Sequence, residues 1–300
     1  MKYIIFYIVL ICNIYISLAK EEEDYIELID PSIVPQKDDK DYYYLPIFHS
    51  NDIHGSFYPK KILLPSGETY TVGGLEYLGK YISIMKKQWD EQFIYFDCGD
   101  HFQGGIEGYI SKGQIIMDFF KSSNIKYSTI GNHDFDYGVE FLRDYMNNSN
   151  FDWLIANVEN ITQHSYESFP KQKRTAIYEL DNGIKIGIIG LLTEETITST
   201  VTILDDLYFD NYANVVNGEA EKMKKQGVNA VIVLGHLGMS CSGELLEEKL
   251  KYLLRDKNTG NNCISSDEAF FLLPKLNNET VDLFLGGHKH GVEHLWINGI

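Results

Sequence analysis

Apolar and polar positions along the chain fall into two periods. Short, mostly apolar runs at residues 45–48, 93–96, 127–130, 153–156, 231–234 and 281–285 have the length and the β-branched or aromatic content of buried strands. Between them lie stretches of helical period. Residues 74–88 carry Leu75, Leu78, Ile82 and Met85 on one stripe, and 114–121, 139–146, 217–226, 245–254 and 268–276 read as further helices. Gly227 stops the helix that ends at Gln226. Residues 175–180 and 184–190 form a hairpin turned by Asp181-Asn182-Gly183. Residues 295–297 begin a last strand that stops almost at once, which suggests a fragment of a longer chain. Strands alternating with helices predict an α/β sandwich, and the hairpin predicts mixed sheets.

The first residues read differently. Lys2 precedes an apolar run over residues 3–16 that only Asn13 interrupts, and Ser17-Leu18-Ala19 fits a small-x-small cleavage site. Residues 1–19 are therefore expected to be a signal peptide outside the fold, and the protein to be secreted. A signal anchor is the alternative, although the run is short for a bilayer and is followed at once by Lys20 and three glutamates. Residues 20–44, acidic and broken by Pro31 and Pro35, read as a leader over the surface. About 280 residues remain after cleavage, enough for one large α/β domain over 45–300.

Charge and cysteines narrow the partners. The formal charge is −17, and one unit more negative once Lys2 leaves. That excludes nucleic-acid polymers and anionic membrane surfaces as natural partners. With no second spanning segment and no apolar tail, no membrane anchor is expected. Cys12 goes with the signal. Cys241 and Cys263 flank a polar segment and are expected to pair in an oxidising compartment, whereas Cys98 sits in an apolar strand as a buried thiol. Sequons at Asn147, Asn160 and Asn278 suit glycosylation of a secreted surface.

The chemistry gathers at strand ends. Five apolar runs are followed by Asp52-Ile53-His54, by Gly99-Asp100, by Gly131-Asn132-His133-Asp134, by Gly235-His236 and by Gly287-His288-Lys289-His290. Taken alone, the stretch from Gly131 to Gly138 fits a hydrogen-bonded turn as well as an active site. The set is more telling, because so many Asp, Asn and His side chains in one place are costly without a shared ion.

The order of these motifs resembles the calcineurin-like metallophosphoesterases. The finer texture is similar to their 5′-nucleotidase branch: His49-Ser50-Asn51-Asp52-Ile53-His54-Gly55, Gly73-Gly74, Phe102-Gln103-Gly104, Asn157-Val158 and Gly187-Ile188-Ile189-Gly190-Leu191. The resemblance covers the chain from Leu45 onward. It implies a four-layer α/β/β/α sandwich with two mixed sheets and a dinuclear centre. It further implies that Asp52, His54 and His290 bind one metal, Asn132, His236 and His288 the other, and Asp100 both. His133 would meet the phosphate and leaving group, oriented by Asp134. Zinc or manganese suits these donors, and calcium does not. With two divalent ions, two aspartates and a bridging hydroxide, the centre would carry about +1 and draw in a phosphate anion.

The implied activity is hydrolysis of phosphomonoesters, 5′-nucleotides foremost, by attack of the bridging hydroxide. Two alternatives stay open: a phosphodiesterase acting on cyclic or 2′,3′-nucleotides with the same core, and a secreted nucleotide- or metal-binding protein without turnover. The chain departs from the family in two ways. The C-terminal nucleoside-binding domain that the resemblance implies is not expected within these 300 residues, which fits a fragment, and the stretch from His236 to His288 is long and carries Cys241 and Cys263.

Overall fold

A computed structural model describes residues 3–11, 42–63, 67, 69–89, 93–241, 263–290 and 297–300. In chain order they form β1 (Tyr3–Ile11), β2 (Tyr42–Ser50), β3 (Lys60–Leu63), β4 (Thr69–Val72), α1 (Leu75–Gln88) and β5 (Ile94–Asp97). Next come α2 (Ile106–Ser111), α3 (Gln114–Ser123), β6 (Tyr127–Ser128), a 3₁₀ turn (Asn132–Phe135), α4 (Val139–Asn147), β7 (Asp152–Leu154), β8 (Val158–Asn160) and β9 (Gln172–Lys173). The rest holds β10 (Thr175–Glu179), β11 (Lys185–Leu192), α5 (Thr196–Ser199), β12 (Leu207–Phe209), α6 (Tyr212–Lys225), β13 (Ala230–His236), α7 (Glu268–Leu272), a 3₁₀ turn (Leu273–Lys275) and β14 (Leu283–Gly286).

Two sheets form the centre. The first has the order β1-β2-β5-β6-β7-β9, and its described strands run parallel. The second, β10-β11-β13-β14, is mixed: β10 and β11 make the expected antiparallel hairpin, and β13 and β14 join in parallel.

Period-two alternation explains the layering. Leu45, Ile47, Ile94 and Phe96 of the first sheet meet Ile186, Ile188, Ile232 and Leu234 of the second in one buried cluster. Their alternates point the other way. Phe48 and Tyr95 pack under Leu75, Leu78 and Ile82 of α1, Ile116 and Phe120 of α3, and Leu142 of α4. On the far side Ile189, Leu191, Val231 and Val233 pack under Val216, Ala220 and Met223 of α6 and Leu272 of α7. Strands covered on both faces are apolar throughout, which is why they appear as unbroken runs. The result is the four-layer α/β/β/α sandwich.

Several local expectations change. Residues 3–11, expected as a signal, pair in the uncleaved chain as the edge strand β1, in register with β2 from Tyr3↔Tyr42 to Ile11↔Ser50. The Ile, Tyr and Val content that suits a signal's apolar core also favours a strand. Residues 42–44, assigned to the leader, belong to β2; the rest of the leader lies outside the described residues. Helix α6 begins five residues earlier than its apolar stripe suggests, because the Asn211 side chain caps it by accepting the N–H of Asn214 at 3.1 Å. The helix expected over 268–276 is split by Pro274 into α7 and a 3₁₀ turn. Ile297 closes a turn with Ile300 instead of opening a strand. The helix expected at 245–254 lies outside the described residues.

Cys241 and Cys263 are joined by a disulfide, and Cys98 is a buried thiol that donates to the carbonyl of Leu285 at 3.4 Å. Asn147 and Asn278 are exposed. Asn160 is not a suitable glycan acceptor: it is buried, and its side-chain oxygen takes the N–H of Gln163. Among the described residues no helix is long and apolar enough to cross a membrane.

The two sheets touch closely at Gly190, where a Cβ would lie 1.8 Å from the carbonyl oxygen of Leu154 in the other sheet. Gly190→Ala should therefore cost at least about 3 kcal/mol in a denaturant titration. Gly218→Ala, in α6 with nothing within 4 Å, should instead gain roughly 0.5–1 kcal/mol. Equal effects at the two glycines would contradict the sheet contact.

Candidate metal centre

Parallel strands put their carboxyl ends on one rim, and that is where the polar side chains collect. Asp52 and His54 follow β2, Asp100 follows β5, and Asn132 and His133 follow β6. His236 ends β13, and His288 and His290 follow β14. Asp52, His54, Asp100 and His290 place one donor atom each within 4.8 Å of one another, and so do Asp100, His236 and His288. Asn132 joins the second group, its Oδ1 lying 3.1 Å from His236 Nε2. Asp100 is common to both. All seven sequence-predicted donors meet in one place.

Several features of the site fit metal ions. His54 and His236 each direct Nδ1 at a backbone carbonyl, of Gln103 at 2.7 Å and Cys98 at 2.6 Å. Those hydrogen bonds fix the tautomer that leaves Nε2 as a lone-pair donor. Nε2 of His54 faces Nε2 of His290 across 2.9 Å. Two neutral rings of that tautomer would bring two lone pairs together unless something electrophilic lay between them. Asp52 Oδ1 is buried, 3.2 Å from His290 Nε2, yet takes no well-directed hydrogen bond. Its other oxygen is held by the N–H of His288 and the Asn51 amide.

The backbone is strained at the same residues. Asp52, His54, Asp100, His288 and His290 all have left-handed φ, between 49° and 76°. Each such residue costs about 1–2 kcal/mol. Gly131 is needed for space, since a Cβ there would lie 2.1 Å from Asp100 Oδ1.

Burial works against charge on Asp100, but the imidazoles of His236, His54 and His133 hold it well below the usual carboxylate range. Burial also lowers His236, and Asp100 more than reverses this, leaving it at about 9. The donors thus balance one another only by taking up protons, a role a cation would fill.

The structure moves one expected role. Asp134 does not touch His133. It is fully buried and turned inward, where it accepts the N–H groups of Gly131, Asp100 and His101 and lies 2.8 Å from His101 Nδ1. His133 Nδ1 is held at 2.8 Å by Asp136, whose second oxygen takes the hydroxyl of Thr200 at 3.1 Å. In a 3₁₀ turn side chains three apart are eclipsed, so the spacing His133 to Asp136 was the readable signal. Adjacent residues diverge. His133 is one-third exposed, with its ring 5.5 Å from that of His54.

Sequence reasoning also missed the salt-bridged core beneath. His101 lies between Asp97, 2.9 Å from Nε2, and Asp134. Asp97 is tied further to Gly99 N–H and Ser50. A third missed residue is Glu195, 2.7 Å from His288 Nε2; an acid just past the end of β11 was its only signal.

Comparison with known proteins follows the same lines. The calcineurin-like phosphoesterase family model matches residues 45–292. A 5′-nucleotidase from Diplobatis ommata is 28% identical over 209 residues, 69% of this chain and 35% of the relative. An apyrase from Anopheles gambiae is 26% identical over 210 residues, 68% of this chain and 36% of the relative. The crystal structure of a 5′-nucleotidase precursor from Thermus thermophilus superposes with a TM-score of 0.60 at 25% identity, covering 81% of this chain and 41% of that one. The chain spans about a third of the length of these curated relatives.

His101 makes a measurable prediction. Burial pushes its pKa down, but Asp134 and then Asp97 hold it at about 10. Its contribution is complete below the unfolded value near 6.5 and is lost as pH climbs toward 10. Metal-free protein should thus lose up to about 1.4 kcal/mol per pH unit across that window. Stability that stays flat from pH 7 to 10, followed by urea unfolding, would rule the buried imidazolium out.

Proposed function

The chain belongs to the calcineurin-like phosphoesterase family, and on that premise we propose that it hydrolyses small phosphate monoesters, 5′-nucleotides foremost, with two divalent ions. The observation that carries this reading is Asp100, common to both donor groups, with the His133–Asp136 pair beside them. Asp52, His54 and His290 would hold one ion, Asn132, His236 and His288 the other, and Asp100 both. Zinc or manganese suits the imidazole and carboxylate mixture. Such ions supply Lewis acidity, acidifying water and neutralising phosphate charge.

The chain's own residues do the rest. Only two of the seven donors are carboxylates, so the loaded site is positive within an acidic protein and attracts an anionic ester. Asp136 fixes the His133 ring by accepting from Nδ1; a ring carrying a second proton on Nε2 would give that proton to the departing alkoxide and remain neutral with Nδ1–H. Asp134 serves the fold by tying the Asp100 loop to the Asn132 loop. Relatives named 5′-nucleotidase and apyrase support a nucleotide substrate. Residues 45–300 act as the catalytic domain, and cleavage after Ala19 would deliver the protein outside the cytoplasm. The disulfide and the exposed Asn147 and Asn278 agree with that compartment.

Purified protein should carry two metals per chain and lose activity to chelators, with its N-terminus at Lys20. Finding one metal, or full turnover of AMP after exhaustive chelation, would defeat the reading; preference for bis-p-nitrophenyl phosphate would shift it to diesters. Asp100→Asn should be the most damaging change among the donors, because it weakens both ions.

His133→Asn should keep both metals while AMP turnover falls on the order of 10²- to 10⁴-fold. The loss should shrink for p-nitrophenyl phosphate, whose leaving group needs no proton. Asp136→Asn should show a milder version of the same pattern. A His133 variant that arrives short of metal would mean that His133 is itself a ligand.

A further inference from the structure

Strand β11 lies between β10 and β13 in the second sheet, yet it supplies none of the seven donors. Its carboxyl end runs into Thr193-Glu194-Glu195, and there the Glu195 side chain reaches across to His288 Nε2 at 2.7 Å. We propose that Glu195 is a positioning residue for His288, committing Nε2 to a carboxylate so that Nδ1 is the atom offered to an ion beside Asp100 and His236. The proposal rests on the two-ion reading above.

The two nitrogens of an imidazole lie on opposite sides of the ring. His288 completes a group with Asp100 and His236, and with Nε2 turned to Glu195 the nitrogen left for that group is Nδ1. Proton accounting follows: the Nε2 proton stays in the hydrogen bond to Glu195, and the Nδ1 lone pair faces the centre. His288 also differs from His54 and His236 in kind. Those two lean on backbone carbonyls, whereas His288 leans on a full negative charge. A carboxylate partner makes the far nitrogen a stronger donor.

Glu195 is itself held from two sides. Lys289 places its ammonium 3.3 and 3.5 Å from the two carboxylate oxygens. The Glu195 N–H donates to Thr193 Oγ1 at 3.0 Å, and the Thr193 hydroxyl donates to Glu268. The other Glu268 oxygen takes the hydroxyl of Tyr212 at 2.6 Å, and that phenol oxygen accepts the N–H of Glu194. This network stretches from the start of α6 and the start of α7 to a single imidazole. Glu195, Glu268 and His288 also lie close enough to hold a cation of their own, but the Lys289 ammonium already fills that role.

The test is zinc titration of the full chain against a chromophoric chelator, with wild type, Glu195→Ala and Glu195→Gln compared. Wild type should bind two ions. Glu195→Ala should weaken one of them 10- to 100-fold and leave the other within about threefold. Glu195→Gln, which keeps a hydrogen-bond acceptor without the charge, should recover part of the loss. Metal-free melting temperatures should match wild type, because Glu195 is 42% exposed; a purely structural role would lower them instead. Two ions bound as tightly by the alanine variant as by wild type would overturn the proposal while leaving the two-ion reading intact. A third ion in wild type that Glu195→Ala abolishes would also overturn it, by making Glu195 a ligand. A wild type that binds no pair of ions would sink this proposal and the proposed function together.

Discussion

A buried chain of three side chains, Asp97, His101 and Asp134, underlies the whole site. It links the end of β5 to the loop after β6, the two segments that carry Asp100 and Asn132. None of the three is exposed. Two carboxylates in such a place would repel each other and demand protons, and the imidazolium between them removes both problems. Asp134 adds three backbone N–H groups from both loops. A buried pair of this kind adds little net stability compared with apolar packing, but it permits few alternative arrangements. Its role is placement. The carboxylate of Asp100, common to both donor groups, is held in turn by the N–H of His133 at 2.9 Å.

That core was invisible in the sequence, although the donors above it were plain. Asp52, His54, Asp100, Asn132, His236, His288 and His290 each follow an apolar run, so the strand period itself announces them. The layers were legible for the same reason. Asp97 and His101 carried no such signal, because nothing local says that Asp97 pairs with His101 four residues on, or that His101 pairs in turn with Asp134 thirty-three positions away. Asp134 was misassigned because it adjoins His133, when turn geometry gives the partnership to Asp136. Glu195 was missed because β11 ends in ordinary-looking Thr and Glu. The short strands β8, β9 and β12 lack an apolar period and exist only through their partners.

Half of the backbone strain has the same address as the chemistry, for five of the ten non-glycine residues with left-handed φ among the described residues are candidate donors. Five of the seven candidate donors adopt left-handed φ, which side-chain-bearing residues avoid. Neighbouring carbonyls, amides and the Asp134 anchor hold them there. In this site the loops do not find their shape from their own sequence preferences; the sandwich beneath imposes it.

The origin of the donors has a mechanical consequence. Asp52, His54, Asp100 and Asn132 ride on one sheet, and His236, His288 and His290 on the other. Between the sheets lies the interdigitated layer around Ile47, Phe96, Ile188 and Ile232, with direct backbone contact at Gly190. Any ion gripped from both sides would act as a rivet through that layer. Its grip would then gauge how far one sheet has slid over the other, so a lost methyl group deep in the sandwich would be felt at the rim as a change in the geometry offered to the ion.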